Sequence, residues 1–73
     1  MTFREHDIVV LTAARPEAGL KPGDVGTVVH CYDEASAEVE FTTAAGDTIA
    51  VVTLPIAQLR APTAMDVAAV RTA

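Results

Sequence analysis

Apolar residues fall in short runs broken by turn-forming residues, which predicts strands rather than helices. The runs are Asp7–Thr12, Val25–Tyr32, Ala37–Thr42 and Thr48–Leu54, with a brief fifth strand near Leu59–Ala61. Val, Ile and Thr dominate them, as a pleated, half-buried surface prefers. A long loop, Ala13–Asp24, holds Pro16, Gly19, Pro22 and Gly23. Asp33-Glu34-Ala35-Ser36 reads as a tight polar turn, and Ala44-Ala45-Gly46-Asp47 as a hairpin with Gly46 free to take positive φ. Pro55 ends the fourth strand, and Pro55–Leu59 has the length of one 3₁₀ turn. This order predicts an all-β fold, a small five-stranded SH3-like barrel over residues 1–62. An OB-fold competes, but wants longer strands and a helix. Residues 63–73 form a flexible or short helical tail, opened by a weak capping-box pattern at Thr63, with Met65 and Val70 as candidate contacts.

Lys21-Pro22-Gly23-Asp24 has the chemistry of a type II turn, with proline setting φ at the second position and glycine supplying positive φ at the third. Gly26 lies inside the strand that follows, where a missing side chain permits a bend or a close backbone approach. A phosphate cradle would need a helix after the glycines; Thr27-Val28-Val29 is a strand. The segment is scaffold.

These residues also carry a resemblance. Asp7–Leu11 followed by Gly19–Val29 looks like the first two strands of small SH3-like barrels of KOW type. Together with Ala50-Val51-Val52-Thr53-Leu54-Pro55-Ile56-Ala57-Gln58-Leu59-Arg60, the chain resembles an uncharacterised bacterial family of stand-alone SH3-like domains across roughly residues 5 to 61. That family pairs "LKxGDxGTVV" with "AVVTLPxxxLR" and carries a domain-of-unknown-function label. The resemblance implies a fold, and its members' genes point to toxin-like or other small proteins encoded nearby. The wider KOW group binds RNA or ribosomes through basic residues, a pattern from which this chain departs.

Charge sharpens that departure. Ten acids against five bases give a net charge of -5, which works against general phosphate-backbone binding. Arg4, Arg15, Lys21, Arg60 and Arg71 are scattered, with no two adjacent. The chain has 73 residues, room for one small core, yet 40 of them are apolar or glycine, and 14 of those are alanine. That surplus raises the expectation of a homo-oligomer or a permanent partner. Cys31 is the single cysteine, so an internal disulfide is excluded and a reducing, cytoplasmic setting is expected. No apolar run approaches a membrane span, and MTFREHD puts charges where a signal peptide places its apolar stretch.

No metal site, cofactor or catalytic constellation is expected. His6, Asp7, His30, Cys31 and Asp33 match no ligand spacing, and adjacent strand residues His30 and Cys31 point to opposite faces. Cys31 as a nucleophile would need His6 brought to it by the fold. Phe3, Tyr32 and Phe41, with no tryptophan, do not make a proline-peptide groove or a stacking platform. Glu38 and Glu40 share one strand face and Val39 and Phe41 the other. The plain reading of that acidic face is solvation; with Asp33, Glu34 and Asp47 it also makes a patch for a basic protein partner. Leu20 either caps the barrel or touches that partner. The expectation is a non-enzymatic protein-interaction module, an accessory, antitoxin or immunity-type subunit. A KOW-like RNA- or ribosome-associated domain is the alternative, and a small enzyme subunit a third.

Overall fold

The computed structural model describes residues 2–68; the predicted contact at Val70, and the tail from residue 69 onward, lie outside them. Five strands form one antiparallel sheet: β1 (Ile8–Leu11), β2 (Val25–Cys31), β3 (Ser36–Thr42), β4 (Thr48–Pro55) and β5 (Leu59–Arg60). Their order is β4-β3-β2-β1-β5. β1 to β4 form a meander, and the chain then crosses back through a 3₁₀ turn, Ile56–Gln58, to lay β5 along β1. This is the predicted all-β class, with the 3₁₀ turn before the last strand. A short helix, α1 (Ala64–Ala68), follows.

Strand alternation builds the core. Val9 and Leu11 from β1, Val28 from β2, Ala37, Val39 and Phe41 from β3, and Leu54 and Leu59 point inward and are buried. In β3 every second residue is buried, the register a one-sided core requires. Gly26 belongs to the same face. A Cβ there would stand 2.9 Å from Cδ1 and Cε1 of Phe41 and 2.7 Å from Cγ1 of Val39, so the missing side chain makes room for the ring.

The turns follow the predicted chemistry. Gly23 takes φ +94°, and the Asp24 amide donates to the Lys21 carbonyl at 3.1 Å, closing the Lys21–Asp24 turn. The Asp24 carboxylate, almost fully buried, accepts from the Lys21 amide at 3.0 Å and its ammonium at 2.8 Å. Gly46 has φ +94°, and its amide bonds the Thr43 carbonyl. Within the long loop a 3₁₀ turn, Pro16–Ala18, ends on Gly19 at φ +72°. Arg15 and Leu20 then exchange two backbone hydrogen bonds of 3.0 Å, which folds Leu20 into the core at 2 % exposure.

Candidate functional site

The outer face of the sheet is left uncovered from Ile8 across β2 to β4, whereas Val10, on the same face of β1, is fully buried. Register places Ile8, Thr27, Glu40 and Val51 in one row across β1 to β4, and His30, Glu38 and Thr53 in the next. Ile8, Val29, Tyr32 and Val51 are exposed large apolar residues among the carboxylates.

A bulge in β2 organises the second row. The pairing Val28↔Val39 is followed by His30↔Glu38, so Val29 is the extra residue. The bulge resets the side-chain parity of the strand. Val29 and His30 are both exposed, while Cys31 turns back to pack against the core. His30 and Cys31 therefore face opposite ways, as their adjacency predicts.

A strap from the N-terminal segment lies over this bulge. The His6 amide donates to the Val28 carbonyl at 2.8 Å, and the Cys31 thiol to the Phe3 carbonyl at 3.4 Å. His6 adopts φ +75° within the turn Arg4–Asp7, whose Asp7 carboxylate caps the Arg4 amide at 2.9 Å. The strap brings Glu5 to 3.7 Å from His30 Nδ1. His30 packs edge-on to Tyr32 with ring centroids 4.7 Å apart, and the Tyr32 hydroxyl donates to Glu38 at 2.9 Å. That bond to a carboxylate favours the protonated phenol and raises the Tyr32 pKa, with partial desolvation adding to it and a Thr53 hydrogen bond opposing it.

The proposed acidic patch is thus differentiated. Asp33 Oδ1 accepts from the amides of Ala35 (2.7 Å) and Ser36 (2.9 Å) and from the Ser36 hydroxyl (3.2 Å). Those amides hold its pKa below the usual carboxylate value, and its Oδ1 is engaged in the turn. Glu34 is exposed beside it. Glu38 receives Tyr32, and Glu40 receives the Thr48 hydroxyl at 2.8 Å. Glu38 and Glu40 do share the outer face. Leu20 does not join them: its burial leaves nothing for a partner to touch, and the capping reading replaces the contact reading.

The Glu5–His30–Tyr32–Glu38 cluster is the part the sequence reading missed. Counting back from the Asp33–Ser36 turn would have paired Tyr32 with β3, but the bulge and the αL turn at His6 have no clear signature. A cleft of about 370 Å³ adjoins Ile8, with Val25 and Thr27 on one side and Thr42, Thr43 and Ala44 on the other. No ionisable side chain lines it, so it offers no acid or base. Among the described residues no three His, Cys, Asp or Glu side chains gather as metal ligands, and no helix is long and apolar enough to cross a membrane.

Residues 5–61 match the family model described as Domain of unknown function (DUF4926), so the chain belongs to that family. No curated protein and no solved structure matches the chain.

Proposed function

We propose that this chain is a non-enzymatic interaction module whose outer sheet face binds a basic protein. The observation that carries the reading is the mixed row and its neighbour: aliphatic Ile8 and Val29 and the amphipathic Tyr32 beside Glu38 and Glu40. Apolar side chains supply contact area, and carboxylates select the sign of the partner's charge. Glu38 and Glu40 each keep acceptor capacity beyond the one hydroxyl they receive. The specific form we favour is an antitoxin or immunity-type subunit that neutralises a basic partner encoded nearby in a bacterial cytoplasm.

The RNA-binding alternative draws less support from the cations. Lys21 is held by Asp24 at 2.8 Å, Arg60 by Asp66 at 2.8 Å, and Arg15 lies 3.7 Å from Glu17. Cations already facing carboxylates release fewer counterions on meeting phosphate. Affinity capture with the tagged chain, with and without nuclease, tests the choice. A nuclease-resistant protein that elutes with salt supports the module; captured material that vanishes with nuclease supports RNA and overturns it.

A further inference from the structure

The two edges of the sheet are unlike. β5 is two residues long and includes Arg60, a short charged edge of the kind that resists further pairing. β4 is eight residues long, and from Thr48 to Leu54 it has no charge and no proline. A native edge strand normally carries some such protection along its length.

Which backbone groups of β4 point away from the sheet follows from the hydrogen bonds. The Ile56 amide donates to the Ala35 carbonyl, and the Tyr32 amide to the Ser36 carbonyl. Residues 35, 37, 39 and 41 therefore bond toward β4, and 36, 38 and 40 toward β2. Through the register Ala37↔Leu54, Val39↔Val52 and Phe41↔Ala50, it is Leu54, Val52 and Ala50 that bond to β3. The N–H and C=O groups of Val51 and Thr53 point outward, and no backbone group among the described residues meets them. Pro55, next in the same phase, has no N–H to lose there.

We propose that a second copy of this chain pairs antiparallel along β4, with the two-fold axis at Val52. Val51 of each copy then exchanges both backbone hydrogen bonds with Thr53 of the other, four bonds in all, and the two Val52 residues face one another. Three observations select this occupant and this register. The pairing window is bounded on one side by the register shift at Ile49 and on the other by Pro55, so an antiparallel strand has little room to slide. Val52, Ile49 and Ala50 pack against the core yet remain half-exposed, and a facing Val52 covers that open side of the core. The side chains beside an added strand are Val51 and Thr53; the carboxylates of Glu38 and Glu40 stand one strand further in. The edge thus selects an uncharged, β-branched strand, which β4 itself is. Across the pair, Glu40 of one copy lies about three strand spacings from its counterpart, roughly 14 Å, beyond the ~8 Å screening length of physiological salt. Like charge does not prevent the contact.

Sedimentation of the full chain across a range of concentrations tests the proposal. The expected mass approaches twice 7.6 kDa at high concentration. Val51→Lys, at a side chain already half-exposed, places two cations at the axis and is expected to weaken the dimer at least tenfold. Val51→Pro removes an outward N–H without touching a bond to β3, and has the same expected effect. Hydrogen exchange reads the register: the Val51 and Thr53 amides slow with rising concentration. A mass that stays monomeric at all concentrations overturns the proposal, as does a dimer indifferent to both variants. So does slowing of those two amides only when a different protein is added.

Discussion

The phenyl ring of Phe41 lies over the bare Cα of Gly26 on the neighbouring strand, where register pairs the two residues directly. A methyl group at position 26 would meet ring carbons at 2.9 Å and Val39 Cγ1 at 2.7 Å, all of them fully buried. Gly26→Ala is therefore expected to destabilise by about 1–3 kcal/mol, the usual cost of overpacking a tight core. Urea unfolding measures it. In a Phe41→Leu background the same substitution should cost less, because the ring is gone, and the double-mutant cycle gives the coupling directly.

His6 holds φ +75° without being glycine or asparagine. Its amide, not its imidazole, makes the hydrogen bond that fixes the strap to Val28. His6→Gly keeps that bond and removes the left-handed penalty of about 1–2 kcal/mol, partly offset by the greater freedom of glycine in the unfolded chain. The expected result is a rise in Tm with unchanged secondary structure; a fall would show that the imidazole itself stabilises the turn.

Much of this was legible in the sequence. The alternation Ala37–Phe41 announces one buried face, and Lys-Pro-Gly-Asp announces a turn whatever surrounds it. The observed strands differ from the predicted ones by a residue at some ends, where the last backbone bonds depend on neighbouring loops. The bulge at Val29 was not legible, because Val28-Val29 reads as one apolar run and only pairing with β3 reveals the extra residue. The burial of Leu20 was likewise open, since it depends on the loop closing through Arg15. The acidic face was visible from the two-residue spacing of Glu38 and Glu40, but the hydroxyl partners came from Tyr32, just beyond β2, and from Thr48 in β4.

Tyr32 is the only tyrosine and there is no tryptophan, so its ionisation can be followed by absorbance without interference. Its hydrogen bond to Glu38 raises the pKa above the ordinary value of about 10. Glu38→Ala should bring the titration midpoint down toward that value. A raised folded pKa contributes stability that is present below the unfolded pKa and lost as pH rises through the folded one. Wild type should accordingly lose Tm relative to Glu38→Ala in strong alkali.

Asp33 shows the opposite sign. Its pKa is lowered first by the Ala35 amide and then by that of Ser36. Its contribution is present above the unfolded carboxylate pKa of about 3.9 and lost as pH falls through the lower folded value. Asp33→Asn, which mimics the protonated acid, should have a lower Tm than wild type at pH 7 and at pH 5. The two should converge below pH ~4. A gap that persists unchanged into strong acid would mean that shape rather than charge sustains the turn.

Arg60 and Asp66 join the short helix to the last strand. Two bonds of 2.8 Å link the guanidinium to the carboxylate, which also accepts the Thr63 amide at 2.7 Å. The arginine, and then Thr63, hold the Asp66 pKa well below the usual carboxylate range. Asp66→Asn should speed exchange of the Thr63 amide while leaving the amides of β2 and β3 unchanged. Faster exchange throughout would instead show that this junction supports the whole sheet.

The most direct test of the outer face as a protein-binding surface is a side-by-side capture. Wild type and a variant carrying Tyr32→Ala, Glu38→Gln and Glu40→Gln, all on exposed or half-exposed positions, are used as baits after nuclease treatment. Wild type is expected to retain a basic protein that the variant loses and that salt releases from wild type. Equal retention by both baits, or retention that depends on nucleic acid, would contradict that reading of the outer face.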